Sequence, residues 1–275
     1  MQAEPKTKAG FMGGLVGIKT IALIPLAGLI ISTLATIATS PLAEDSILGM
    51  PGWPPALGRQ ALFTLWVFTF YLPFMYLMYR IYISHQEWLV PRNEVYDPKK
   101  TYKVWTTRRV IEGAVAAGFY LAASMIKVPV FQQLDFMFVA GGFTAVYWGG
   151  PVTFVMSMVG GTLRSIAGGF ADYYDLIGNT MVDGMYWMLL AVFWRRFVED
   201  AKGKKHVLGI IAAIAMVQIL FFINWFVVAS VISWSWSTFV PFVIGGALSY
   251  AIVIFIGLPV GIIAGDSAIR LSKRQ

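Results

Sequence analysis

The chain has 275 residues, of which 58% are hydrophobic and only 13% are charged, and its mean hydropathy is +0.70. A soluble domain carries about 25% charged residues, so this composition predicts an integral membrane protein. The absence of cysteine excludes a disulfide framework and a thiolate metal site. The net charge of +7 is divided among separate segments, whereas a polynucleotide requires a contiguous basic surface, so nucleic acid is not an expected partner.

Two apolar segments open the chain. Residues 20–39 carry no charge and are long enough to cross a bilayer core of about 30 Å as a helix. A cleaved signal peptide is the alternative, but its apolar core is typically about 7 to 15 residues, so a retained helix is favoured. After a proline-containing loop over residues 40–60, residues 61–79 form a second charge-free span. Residues 1–84 are therefore predicted to be a two-helix membrane extension.

The middle of the chain is polar and then becomes apolar again. Residues 80–109 contain seven lysines and arginines, which predicts a basic cytoplasmic linker over residues 85–109. A helix is predicted over residues 110–126. The charge-free residues 136–163 are expected to form two helices rather than one, because Gly149-Gly150-Pro151 favours a turn.

The last third of the chain is predicted to contain three more membrane spans. Residues 176–194 form one span, which carries Asp183. Residues 207–265 contain no Asp, Glu, Lys or Arg and are too long to cross a bilayer once, so a break is expected near residues 233–237. The fold class is thus all-α, with about eight transmembrane helices, six of them in a domain over residues 110–275.

The distribution of basic residues predicts the orientation. Eight spans with both termini in the cytoplasm place 18 of the 21 lysines and arginines on the inner side of the cell membrane. The three outside are Arg59, Lys127 and Arg164. Counting residues 136–163 as one span would instead place the five basic residues between 195 and 205 outside. The charge pattern therefore also favours two helices there, and the inner basic segments favour contact with anionic lipid.

Small residues recur on one face of the predicted helix over residues 110–126. Ala114, Gly118 and Ala122 lie four residues apart, and this spacing lets a second helix approach closely within a bilayer. The spacing by itself favours packing against the chain's own helices. Contact with a helix of another subunit is the alternative.

A polar constellation is predicted on the outer side, where several loops would converge. Such residues could bind a small, polar and partly aromatic molecule, with indole rings stacking on it. The alternative is an interfacial belt of solvated charges and aromatic rings. The predicted substrate-binding residues are Lys127, Gln132, Asp135, Arg164, Asp172, Asn179, Asp183, Trp234 and Trp236.

Arg164 and Asp183 stand out because a charge next to or within an apolar span is costly unless it is paired or faces water. They are candidates for ligand binding, and an ion pair that only joins two helices is the alternative.

Catalytic motifs are missing from the sequence. It contains no GxSxG, HExxH or Walker A pattern, so no enzyme activity, cofactor or metal is expected. His85 and His206 lie in charged segments between apolar runs and are expected to be solvated loop residues.

The order of motifs resembles the substrate-binding S-component of the energy-coupling factor (ECF) transporter family. The helix within TTRRVIEGAVAAGFYLAAS is followed by Lys127-Val128-Pro129-Val130, the turn at Gly149-Gly150-Pro151 and a glycine-rich helix at Gly160-Gly161. The resemblance covers roughly residues 105 to 270. The two amino-terminal helices depart from the six helices usual in that family.

The resemblance implies capture of a vitamin or vitamin precursor, with transport driven by a membrane T-component and ATPase subunits. By position, Ala114, Gly118 and Ala122 would contact the T-component, although a glycine at the central place departs from the usual alanine. The alternative function is a noncatalytic structural subunit of a larger membrane complex.

Overall fold

A computed structural model describes residues 17–39, 55–91, 94–128, 131–167, 180–232 and 255–273. In chain order, its helices are α1 (Ile18–Thr39), α2 (Pro55–Trp66), α3 (Leu72–Ser84), α4 (Thr107–Met125), α5 (Met137–Tyr147), α6 (Gly150–Val155), α7 (Gly161–Ala167), α8 (Thr180–Phe193), α9 (Lys204–Ile232) and α10 (Phe255–Ser272). A 3₁₀ turn covers Gln86–Leu89, and the two strands are β1 (Lys127–Val128) and β2 (Phe131–Asp135). Three π-helical turns, Val67–Tyr71, Met156–Gly160 and Trp194–Val198, join α2 to α3, join α6 to α7 and extend α8.

Three helices in the described part of the chain are long and apolar enough to cross a membrane. They are Ala61–Ser84, Lys204–Ile223 and Phe255–Ser272. Shorter apolar helices cover Thr20–Thr36 and Met137–Tyr147. The prediction of an all-α membrane protein is confirmed at this level.

The two amino-terminal helices pack closely on each other. A Cβ atom on Gly28 of α1 would lie 1.9 Å from the backbone oxygen of Thr69, so only glycine permits this crossing. Two polar contacts fasten the same interface: the hydroxyls of Ser32 and Thr69 are 2.9 Å apart, and the indole of Trp66 donates to Thr36 at 2.8 Å. Small and hydroxyl-bearing side chains are the usual means of joining helices in lipid.

The amino-terminal helices also share a core with the rest of the chain. α3 packs along α8, where a Cβ on Gly184 would lie 2.4 Å from the sulfur of Met75. Buried side chains on both sides of the linker, such as Tyr71 and Tyr186, belong to one hydrophobic core. Residues 61–84 are therefore packed into the helical bundle.

The linker leads into α4 earlier than predicted. The helix begins at Thr107 rather than residue 110, because the hydroxyl of Thr106 accepts from the backbone N–H of Arg109 and caps the first turn. Arg108 and Glu112 form an ion pair at 2.8 Å across one turn of α4. The side chain of Gln86 accepts from the backbone N–H of Tyr102 at 2.9 Å, which folds the linker back toward the end of α3.

The predicted break within residues 136–163 is confirmed. α5 ends at Tyr147, and α6 begins at Gly150 with Pro151 in its first turn. Gly149 has φ of 80°, a left-handed conformation that favours glycine. A Cβ at this position would also lie 2.0 Å from the hydroxyl of Tyr82, so the ring of that tyrosine occupies the inside of the turn.

The connection between α4 and α5 is a β-hairpin rather than the expected loop. Strands β1 and β2 pair antiparallel, with Lys127 opposite Asp135. We call this side of the bundle the hairpin end, and the opposite side, which carries the linker and the Gly149 turn, the linker end. The break predicted near residues 233–237 lies outside the described residues.

Candidate functional site

A buried carboxylate lies one turn into the bundle from the hairpin end. Asp183, in the first turn of α8, has only 5% of its surface exposed. Arg164, in the last turn of α7, donates from Nη1 to Asp183 Oδ2 at 2.8 Å. The hydroxyl of Tyr120 donates to the same oxygen at 2.7 Å, and that of Tyr186 donates to Oδ1. Both carboxylate oxygens therefore accept hydrogen bonds from the chain itself.

Close packing of α7 against α8 places this ion pair. A Cβ on Gly161 would lie 3.2 Å from the Cα of Thr180, so the helices approach closely at the point where α8 begins. The hydroxyls of Thr162 and Thr180 are 3.3 Å apart at the same level. Because α7 and α8 run antiparallel, Arg164 lies about one turn from this crossing toward the hairpin end and Asp183 about one turn toward the linker end. The long arginine side chain therefore reaches back past the crossing to the carboxylate.

Aromatic rings enclose the pair on the side toward α5 and α9. The indole of Trp187 donates to the hydroxyl of Tyr120 at 3.5 Å, and its ring lies 5.6 Å from that of Phe138 in an edge-to-face arrangement. Phe221 of α9 packs against Phe138 at 5.5 Å. The side chain of Arg164 is 23% exposed and that of Asp183 is 6% exposed. Arg164 is thus the member of the pair that a ligand arriving from the hairpin end would meet.

The small residues of α4 form two faces. On the covered face, a Cβ on Gly113 would lie 2.8 Å from Val155, and one on Gly160 would lie 3.1 Å from Ala117. This face packs against α6, α7 and the π turn between them.

The second face of α4 contains the predicted contact residues. Ala114, Gly118 and Ala122 are all exposed, and a Cβ on Gly118 would meet no atom within 4 Å. Val115 and Phe119 extend this exposed apolar surface. We call it the open face of α4. The described helices of the chain leave the Gly118 position uncovered.

Two of the nine predicted substrate-binding residues can be placed by their side chains, and they are in direct contact: Arg164 and Asp183. Lys127, Gln132 and Asp135 lie on the β-hairpin, but their side chains fall outside the described part of the chain. The remaining four lie outside the described residues: Asp172, Asn179, Trp234 and Trp236.

Sequence reasoning missed the two tyrosines that complete the site. Tyr186 lies three residues after Asp183 on α8, so its position on the same helical face was a usable signal. Tyr120 reaches Asp183 across helices, and nothing in the local sequence of α4 indicates that contact. Its position depends on how α4 crosses α8.

The prediction that His206 is a solvated loop residue is wrong. It lies in the first turn of α9 and is only 8% exposed. Its Nε2 atom is 3.1 Å from Asp266 Oδ2, and its Nδ1 atom is 3.1 Å from the carbonyl oxygen of Val198. Arg270 also donates to Asp266, at 2.8 Å. His206 therefore joins the amino-terminal end of α9 to α10 near the linker end.

His85 does lie in a connecting segment, where its ring stacks on Trp88 with centroids 4.0 Å apart. Within the described residues, no group of three or more His, Cys, Asp and Glu side chains is arranged to hold a metal ion.

A cavity of about 1020 Å³ lies at the linker end. Its walls come from the linker, the first turns of α4, the Gly149 turn and the ends of α8 and α10. Charged and aromatic side chains line it, including Trp88, Lys103, Arg109, Trp148 and Lys273.

The fold and the paired charges define a helical membrane protein with a buried polar site near its hairpin end. No protein-family model, curated protein or solved structure matches the chain. The likeness to ECF S-components rests on the sequence motifs described above.

Proposed function

We propose that the chain is the membrane-embedded substrate-capture subunit of a vitamin or vitamin-precursor transporter, driven by a membrane T-component and partner ATPases. The observation that carries this proposal is the open face of α4. Ala114, Gly118 and Ala122 offer a surface on which another helix can pack closely, and the described helices leave Gly118 uncovered. These are the positions at which the motif resemblance places contact with a T-component.

The buried ion pair supports a ligand site at the hairpin end. A charged group within a membrane span is a functional candidate because its burial is costly. Arg164 is the more exposed member of the pair, and aromatic rings close the opposite side. A polar heterocycle binds above Arg164. The hairpin completes its site together with Asp172, Asn179, Trp234 and Trp236, which lie outside the described residues.

The arrangement of charges supports the proposed topology of eight spans with both termini in the cytoplasm. Basic residues distant in sequence, such as Lys103, Arg195 and Lys273, line one cavity at the linker end. Arg164 lies near the opposite end of the bundle. This separation agrees with a linker end that faces the cytoplasm of a cell membrane.

A specific observation favours a second candidate, a noncatalytic structural subunit of a larger membrane complex. Both oxygens of Asp183 already accept from groups of the chain itself. An ion pair saturated in this way can serve to join α7 to α8 without any ligand. The open face of α4 would then contact a structural neighbour.

Both candidate functions require the open face of α4 to contact another membrane subunit. Purification of the full chain from its native membranes tests this contact. Gly118→Leu places a bulky side chain at the proposed contact, so we expect copurifying membrane subunits to fall by about tenfold, equivalent to about 1.4 kcal/mol. The matched control is Gly118→Ala, which keeps the surface small and should retain the partners. Equal recovery of partners with both variants would contradict contact at this face.

Ligand binding separates the two candidates. Thiamine, riboflavin, biotin and their precursors should include a compound that raises the melting temperature of a transporter subunit. Trp234→Phe or Trp236→Phe should weaken that binding by about fivefold, because phenylalanine has less stacking area and no N–H donor. If no compound in the panel binds and ATPase subunits are missing from the purified complex, the structural role replaces the transporter proposal.

A further inference from the structure

The cavity at the linker end has more cationic than anionic walls. Six basic and two acidic side chains line it: Lys100, Lys103, Arg108, Arg109, Arg195, Lys273, Glu94 and Glu112. Its volume of about 1020 Å³ is just above the range of about 300 to 1,000 Å³ for small-molecule sites. Net positive walls around an open volume of this size attract an anion.

Ion pairs account for both of the acidic residues in the walls. Glu94 pairs with Lys100 at 3.7 Å, and Glu112 pairs with Arg108 at 2.8 Å. At the far wall, Glu199 lies 2.9 Å from Arg195 and 3.5 Å from Lys273. The carboxylates near the cavity are therefore already engaged by cations.

Lys103 and Arg109 are the two cationic residues of the cavity walls that take part in none of these ion pairs. Among the described residues, neither forms an ion pair with a carboxylate, and Arg109 instead donates to the backbone oxygens of Leu89, Lys103 and Val104. Arg109 contacts the backbone carbonyl of Lys103, and both cationic residues line the cavity. An anion in the cavity would be attracted by the charge of each.

We propose that this cavity binds an anionic phosphate ester, with Lys103 as the main contact and Arg109 as its neighbour. Phosphate suits the pair because a guanidinium and an ammonium can each donate charge-assisted hydrogen bonds to its oxygens. The phosphate can belong to the headgroup of an anionic lipid or to a soluble phosphate ester. Tyr82, Tyr102 and Trp148 in the walls suit either source, because aromatic rings are common both at membrane interfaces and in ligand sites.

The two sources are separated with the full chain in neutral detergent. Native mass spectrometry measures retention of phosphatidylglycerol against phosphatidylcholine, and calorimetry measures binding of inorganic phosphate and of AMP. Retention of phosphatidylglycerol alone assigns the site to lipid, and calorimetric binding assigns it to a soluble phosphate. If the parent chain binds none of these probes, the proposal is wrong.

Lys103→Gln is the decisive variant. We expect it to weaken binding of the retained probe by about tenfold, because it removes one charge-assisted hydrogen bond to phosphate. Lys103→Arg keeps the charge and should restore most of the binding. The fold should be unaffected, because Lys103 is exposed and Arg109 contacts its backbone carbonyl rather than its side chain.

Lys99→Gln is the matched control. Lys99 is an exposed lysine of the same linker that does not line the cavity, so its substitution changes the net charge equally and leaves the walls intact. Equal weakening by Lys99→Gln and Lys103→Gln would show a nonspecific effect of net charge and would overturn the proposed site. Failure of Lys103→Arg to restore binding would also count against it.

Discussion

The two faces of α4 have similar sequences but different surroundings. Gly113 and Ala117 lie on the covered face, with Val155 and Gly160 directly opposite. Gly118, five positions after Gly113, lies on the open face, where an added Cβ would meet nothing. Small residues four apart therefore indicate where a helix can be approached closely. They do not indicate which helix approaches.

The chemistry of the two faces also differs. The covered side includes Tyr120, which is buried and donates to Asp183, so close packing there brings a hydroxyl to a buried carboxylate. The open face continues into exposed apolar side chains such as Val115 and Phe119. The covered face thus supports a polar site inside the bundle, whereas the open face presents a surface suited to lipid or to another membrane helix.

The strongest test of the covered side is Asp183→Ala. It would leave Arg164 and two tyrosine hydroxyls without their acceptor, and loss of one partner from a buried ion pair costs about 3 to 5 kcal/mol. We expect a loss of stability near the lower limit, because Arg164 is partly exposed. Unfolding of the purified chain in detergent measures it.

Asp200→Ala is the control for that variant, since Asp200 has a 93% exposed side chain and pairs with Lys273 at 3.7 Å. Its effect should be about 0.5 kcal/mol or less. If the two variants destabilise the chain equally, the buried ion pair contributes no more to stability than the exposed one.

Much of the helical organisation follows from sequence because the constraints are local. The charge distribution and Gly149-Gly150-Pro151 predicted the break between α5 and α6, and a small-residue repeat was found on α4. The pairing of Arg164 with Asp183 could also be predicted as one alternative from the sequence, because a charge near a membrane span needs a partner.

The remaining features depend on contacts between distant parts of the chain. Tyr120 and Asp183 are brought together by helix crossing, and His206 is buried because α10 places Asp266 beside it. The β-hairpin arises from backbone pairing between Lys127 and Asp135, which no alternation of apolar residues signalled. Periodicity within one segment does not contain this information.

The comparison of the two faces is sharpened by placing the same side chain on each. Gly113→Leu should destabilise the isolated chain by about 1 to 3 kcal/mol, because the new side chain would overlap Val155. Gly118→Leu should not destabilise the isolated chain, since there is open space at that position and leucine favours a helix more than glycine does. Thermal unfolding of the two purified variants in the same detergent measures the difference.

Both substitutions replace glycine with leucine within one helix, so the change in helix propensity is the same for each. Equal destabilisation would mean that a helix of the chain covers Gly118 after all. The open face would then be an internal contact, and the proposed docking of a partner would lose its main support.

The smallest expected effect concerns the tyrosine hydroxyl at the edge of the covered face. Tyr120→Phe removes a donor to Asp183 Oδ2 and the acceptor of the Trp187 N–H, while Arg164 continues to donate to the same carboxylate oxygen. Because the carboxylate keeps a charged partner, we expect a loss of about 1 kcal/mol in the free energy of unfolding. Tyr76→Phe on α3 is the control, since its hydroxyl accepts from Arg80 at an exposed site and its loss should cost less. A larger loss for Tyr76→Phe would show that burial beside Asp183 does not strengthen this hydrogen bond, and the contrast between the covered and open faces of α4 would then rest on packing alone.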